Sequence, residues 1–194
     1  MQHIRDDLGK LRGAPITDAE LNASIAAYND NRAALRDLYA YRAAKPWQAP
    51  TSEVYLVQRA GMVLPVEEHT ALVRQYLAAA EKLSRPKRDN ARVVLTGGFC
   101  EQPPLALIKS IEMAGCYVVD DDFMLVGRWL LDHVPTDGDP LAELSKAFLH
   151  RSATTAAKYE ATREEKGVFL MKQVKTRGAE GVVFSAPSFC DPAL

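Results

Sequence analysis

Apolar positions in the first half of the chain recur at helical spacing. Leu21, Ile25, Tyr28, Leu35 and Leu38 share that period, which lines them along one side of a helix. Thr17-Asp18-Ala19-Glu20 precedes them as a capping box: the Thr hydroxyl accepts an early N–H and the Glu reaches back. The pattern predicts a helix over 17–44, stopped by Lys45-Pro46. A second helix is predicted over 52–62, carrying Val54 and Val57. A third, over 65–83, opens on Pro65 and places Glu67 and Glu68 in its first turn, where the helix dipole favours anions. Leu72, Val73, Tyr76 and Leu77 form its apolar stripe.

The pattern changes after Arg85-Pro86-Lys87-Arg88-Asp89-Asn90. Arg92-Val93-Val94-Leu95-Thr96 is a short β-branched run closed by Gly97-Gly98, which predicts a buried parallel strand. Pro103-Pro104 opens a helix that ends at Gly115. Cys116-Tyr117-Val118-Val119 predicts a second strand, leaving through Asp120-Asp121-Asp122. Helices are predicted over 124–132, 141–148 and 153–176, with a loop over 135–140. Gly181-Val182-Val183-Phe184-Ser185 is the third strand.

This order predicts an α/β chain. A helical N-terminal segment over 1–88 leads into a parallel-sheet, flavodoxin-like three-layer domain over 89–194. Phe189-Cys190-Asp191-Pro192 has the form of a helix start, with Asp191 as N-cap and Pro192 at the first helical position. A domain that stops there is expected to be incomplete at its C-terminal end.

Composition narrows the function classes. The formal net charge of -1 gives no basic field for nucleic acid. The run Arg85-Pro86-Lys87-Arg88 is read as a solvated linker in preference to a phosphate or coenzyme A contact. Nothing approaches the roughly 20 apolar residues of a membrane span, and the polar N-terminus is not a secretory signal. The three cysteines, Cys100, Cys116 and Cys190, show no C-x-x-C spacing, so a reducing compartment, the cytoplasm, is expected. His3, His69, His133 and His150 lack ligand spacing, and the tyrosines within the helices are assigned to packing.

In open parallel sheets, ligands bind outside the carboxyl ends of the strands. Three exits share that rim: Gly97 to Gln102, the Asp120-Asp121-Asp122 run, and Ala186 to Asp191. Cys190 stands just before a predicted helix N-terminus, where unpaired N–H groups stabilise a thiolate. The alternative is a small apolar loop residue. Cys100 follows two glycines that let a ligand approach the backbone and is a weaker ligand candidate. Cys116 starts its strand at the opposite edge and is read as structural. Glu101 is a candidate proton donor or acceptor, or a cap for the Pro103 helix. Gly98, Gln102, Asp121 and Ser188 are substrate-side candidates. The Asp run is read as capping the next helix and facing water, with a hard cation as the alternative. Neither G-x-G-x-x-G nor G-x-x-x-x-G-K-[ST] occurs, so nucleotide binding of those types has no support.

Three segments together carry a family resemblance: Leu95-Thr96-Gly97-Gly98-Phe99-Cys100-Glu101-Gln102-Pro103-Pro104, Ile111 to Asp122, and Gly178 to Phe184 running into Ser188-Phe189-Cys190-Asp191-Pro192-Ala193-Leu194. They resemble the benzoyl-CoA reductase and 2-hydroxyacyl-CoA dehydratase family, and within it the smaller cluster-bearing, non-ATPase subunit of the reductase branch. The Phe-Cys-Asp-Pro ending is the most specific piece, and Phe-Cys-Glu-Gln-Pro-Pro points to the reductases.

The resemblance implies two α/β lobes gripping a [4Fe-4S] cluster through three cysteines. The one in Phe-Cys-Asp-Pro maps onto Cys190, and the other two belong to an N-terminal lobe. This chain matches the C-terminal lobe, and Cys100 and Cys116 do not match the other ligands. A cluster is therefore expected in the full-length subunit and not in this chain alone. The implied partners are a paralogous cluster-bearing subunit, ATPase activator subunits that hold the ATP, ferredoxin, and an aromatic acyl-CoA. The implied reaction, in anaerobic aromatic degradation, reduces the benzoyl-CoA ring to a cyclic dienoyl-CoA, and this chain alone is expected to be inactive. A 2-hydroxyacyl-CoA dehydratase subunit and a non-catalytic scaffold that binds a partner chain are the alternatives.

Overall fold

The computed structural model describes residues 1–97, 103–123, 132–150, 166–186 and 188. Helix α1, Gln2–Arg12, comes first. It lies outside the predicted set, although Ile4, Leu8 and Leu11 follow an i, i+4, i+7 spacing. Gly13 ends it at φ 77° in the left-handed region, a position that costs a glycine no Cβ clash.

Helix α2, Asp18–Ala44, starts at the predicted capping box: Glu20 N–H donates to Thr17, and the Glu20 carboxylate accepts from the Thr17 backbone. Arg12 also donates to Glu20 at 2.7 Å. That bond first, and the two from Thr17 next, hold the Glu20 carboxyl at about 2. Helices α3, Thr51–Ala60, and α4, Val66–Lys82, agree with the apolar spacing to within one or two residues. Ala34, Leu35 and Leu38 of α2 pack with Val54 and Val73 in one apolar cluster. Each of these buried Leu and Val side chains contributes about 1.5–3 kcal/mol.

Strand β1, Ala91–Thr96, is followed by helix α5, Leu105–Met113, and strand β2, Cys116–Asp121. Helices α6, Pro140–His150, and α7, Lys166–Arg177, precede strand β3, Gly181–Phe184. The strands form a parallel sheet in the order β2-β1-β3. This is the α/β, flavodoxin-like arrangement the sequence predicts. The predicted 124–132 helix lies almost wholly outside the described residues, as does the start of the 153–176 helix.

Alternation along β1 sends Val93 and Leu95 to one face. There they pack with Val118, Ile108 of α5, Phe123 and Tyr55 of α3, and the Tyr55 and Phe123 rings meet edge-on at 5.4 Å. The N-terminal helices and the sheet thus share a core. Among the described residues no helix is long and apolar enough to cross a membrane.

The Asp run departs from expectation: it neither follows β2 as a solvated exit nor faces water. The ladder shifts between Val93 and Val94, so that Asp120 and Asp121 stand beside Val94 and Leu95. Asp120, Asp121 and Asp122 are 4%, 0% and 2% exposed. A strand that should stop at its first carboxylate continues because α2 and α7 deliver cations to it. Arg42 Nη1 is 2.6 Å from Asp121 Oδ2, and Arg177 Nε donates to Asp120 Oδ2 at 2.9 Å.

Candidate functional site

The carboxyl rim of the sheet is built by one carboxylate that ties two strand exits together. Thr96 Oγ1 donates to Asp122 Oδ2 at 2.6 Å, and Gly97 N–H donates to the same oxygen at 3.0 Å. Asp122 N–H donates in turn to Leu95 C=O. The third exit is fastened by Ser185 N–H, which donates to Thr96 C=O at 2.8 Å. Gly97 has φ 106°, and a Cβ there would stand 2.9 Å from Ser185 C=O. Only glycine lets these two backbones pass so closely.

Beneath this rim lies a polar network. Tyr39 donates to Asp121 Oδ1 at 2.9 Å, and the same oxygen accepts Phe123 N–H. Gln58 donates to Tyr39, and Gln173 of α7 reaches the Asp121 carbonyl. The Arg42 guanidinium stacks over the Tyr39 ring at 4.4 Å. Burial opposes the Arg42 charge, but Asp121, Tyr39 and Asp120 more than offset it, so its pKa lies above the ordinary value.

The other oxygen of Asp122, Oδ1, is buried and has no hydrogen-bond partner among the described residues. A buried polar atom of this kind calls for an explanation. It leaves an acceptor beside the rim where ligands bind in this fold.

Of the residues singled out from sequence, Gly98, Cys100, Glu101, Gln102 and Cys190 lie outside the described residues. Ser188 is exposed in a turn after β3. Asp121 presents no surface, since its carboxylate is given to Arg42 and Tyr39. Cys116 is a half-buried free thiol at the opposite edge, as expected. The hard-cation reading of the Asp run is not supported: among the described residues no group of three His, Cys, Asp or Glu side chains is placed to hold a metal ion. Sequence reasoning missed Thr96, Tyr39 and Arg42, and it placed Asp122 on the rim only as part of the Asp run. A lone Arg and Tyr in a long helix carry no local sign that they will meet an acidic strand.

Known proteins share this sequence along its whole length. The family profile of the 2-hydroxyglutaryl-CoA dehydratase D-component matches residues 1–194. The chain belongs to this family. Among curated proteins, it is 56% identical over 194 residues to a subunit of the benzoyl-CoA reductase of Thauera aromatica. That alignment covers 100% of this chain and 50% of the relative. It is 29% identical over 190 residues to the beta subunit of lactoyl-CoA dehydratase of Anaerotignum propionicum, covering 97% of the chain and 50% of that protein. With the (R)-phenyllactyl-CoA dehydratase beta subunit of Clostridium sporogenes the identity is 26% over 187 residues, covering 96% and 49%. The chain thus spans about half the length of the curated relatives it matches.

Proposed function

We propose that this chain is the rim-forming lobe of a cluster- and substrate-binding subunit of an ATP-dependent, ferredoxin-linked benzoyl-CoA reductase. The observation that carries the reading is the identity of 56% across the whole chain to a reductase subunit, against 29% and 26% to two dehydratase subunits. The fold agrees with it. A parallel sheet offers its carboxyl rim to ligand, and Asp122, Thr96 and Gly97 fix that rim's backbone.

The donor chemistry asks for help from outside the chain. An iron–sulfur cube is held by cysteine thiolates. The three cysteines here do not share one edge, because Cys116 begins β2. Cys190 and Cys100 lie on the rim side by sequence position, with Cys190 the proposed ligand. The remaining thiolates come from another lobe or subunit. A bound cluster would supply single electrons at low potential, tuned by burial and ligation. The chain's own contribution is to hold the substrate's thioester end at the rim, exclude water there, and offer Glu101 as the proton-handling side chain. Gly98, Gln102 and Ser188 are the proposed substrate contacts. The partners follow from the same reading: a paralogous cluster-bearing subunit, ATPase subunits, ferredoxin and an aromatic acyl-CoA, in the cytoplasm.

The dehydratase relatives make the second reading explicit. The assembled complex with the full-length subunit is supplied with benzoyl-CoA, ATP and reduced ferredoxin, and separately with 2-hydroxyacyl-CoA. Dienoyl-CoA formation is expected. Reversible loss of water from the hydroxyacyl-CoA, without ring reduction, would replace the reductase reading by the dehydratase one.

A further inference from the structure

A cavity of about 430 Å³ opens at the amino edge of the sheet, away from the carboxyl rim. It lies between the α2–α3 turn, the 85–90 connector, the last turn of α5 and the start of β2. Its volume is that of small-molecule sites, which run from about 300 to 1,000 Å³. Two half-buried aromatic rings, Trp47 and Tyr117, line it, with centroids 6.3 Å apart and planes at 55°. Tyr117 is held in place by its hydroxyl, which accepts the Arg88 backbone N–H at 2.8 Å.

The charge on the walls is unbalanced. Two nearby carboxylates are already committed. Glu53 pairs with Arg85 at 2.7 Å, and Glu112 accepts the Ser52 N–H at the start of α3. Arg88 and Lys109 also line the cavity, both exposed, and among the described residues neither side chain has an ion-pair partner. Lys87 adds a third cation, with its Nζ 5.2 Å from the Trp47 ring centroid. The basic run is therefore not merely a solvated linker: Arg85 anchors it to α3, which turns Arg88 toward a pocket floored by aromatic rings.

We propose that this cavity binds a nucleoside phosphate, with the planar base against Trp47 and Tyr117 and the phosphate at Arg88 and Lys109. Every base offers a π-face for stacking. A guanidinium and an ammonium together bind phosphate by charge-assisted hydrogen bonds. A free adenine nucleotide and the nucleotide end of coenzyme A present the same chemistry. The inference stands on the cavity and does not depend on the reaction proposed above.

Cys116 lines the same cavity as a free, half-buried thiol and reports on its occupancy. The chain is alkylated with iodoacetamide, and modification of Cys116 is followed by peptide mass spectrometry. Additions are adenosine 3′,5′-bisphosphate, acetyl-coenzyme A (which has no free thiol) or inorganic phosphate. Nucleotide-bearing ligands are expected to slow Cys116 alkylation about tenfold, while inorganic phosphate leaves it unchanged. Protection by the bisphosphate but not by acetyl-coenzyme A assigns a free-nucleotide site; protection by acetyl-coenzyme A, with or without the bisphosphate that reproduces its nucleotide end, assigns the coenzyme. The variant Arg88→Gln/Lys109→Gln, at two exposed positions, is expected to keep its circular dichroism spectrum and lose the protection. No protection by either nucleotide-bearing ligand overturns the proposal. So does equal protection by inorganic phosphate, or protection that persists in the double variant. No turnover is read, so the result is independent of whether the complex reduces an aromatic ring.

Discussion

Arg42 Nη1 lies 2.6 Å from Asp121 Oδ2, and both side chains are 0% exposed. The pair joins α2, the longest helix among the described residues, to the last residue of β2. Taking both charges out of water costs several kcal/mol per ion, and close approach recovers that cost only while both partners remain. Arg42→Met should therefore lower unfolding stability by about 3–5 kcal/mol, because it strands a buried carboxylate. Arg42→Met with Asp121→Leu should lose less than Arg42→Met alone. Urea denaturation measures both. A double variant weaker than the single one would show that the pair does not act as a unit.

That contact also marks where sequence ceases to be informative. The capping box at Thr17, the stripe through Leu35 and Leu38, and the Val93–Leu95 run are local patterns. Each produced its element within a residue or two. The end of β2 did not follow, because Asp120 and Asp121 are poor strand residues by themselves. They become acceptable only beside Arg42 and Arg177, 78 or more residues earlier and 56 or more later in the chain. The rim has the same character. Position along the strands located it, but the Asp122 bridge between Thr96 and Gly97 is a tertiary fact.

His69 is 1% exposed and fully engaged while neutral. Asn31 donates to its Nδ1 at 2.9 Å, which fixes the proton on Nε2, and that nitrogen donates to Val57 C=O at 3.0 Å. Burial lowers its folded pKa below 6.5, partly opposed by the Val57 bond. As pH falls, the unfolded chain takes up this proton first. The stabilisation is present above 6.5 and is lost as pH drops through the lower folded value. Urea midpoints measured from pH 8 to 5 should fall below pH about 6.5. The drop should be shallower in His69→Phe than in the parent. Parallel profiles would assign the acid sensitivity to other groups.

Gly97 is the narrowest point of the rim. Its φ of 106° is disfavoured for any side chain, and a Cβ would meet Ser185 C=O at 2.9 Å, a backbone atom that cannot swing away. Gly97→Ala should cost roughly 1–3 kcal/mol from the backbone alone, with more from the contact. Thermal unfolding should show the loss. An unchanged midpoint would mean that β1 and β3 leave the sheet farther apart than the Thr96–Ser185 hydrogen bond requires.

The proposed cluster ligand gives two linked outcomes. One Cys190 thiolate cannot replace three, so this chain reconstituted alone with iron and sulfide should retain less than stoichiometric metal after desalting. In the full-length subunit, where other thiolates complete the set, Cys190→Ser should remove most of the bound iron and the cluster's visible absorption. Ring reduction should fall with it, because the alcohol does not supply the thiolate on which ligation and potential depend. Cys116→Ser should leave iron content unchanged, since that residue starts β2 at the far edge of the sheet. Stoichiometric iron in the isolated chain would mean that it holds a cluster without outside ligands. Full iron and turnover in Cys190→Ser would move the ligand elsewhere, and Cys100 would be the next position to change.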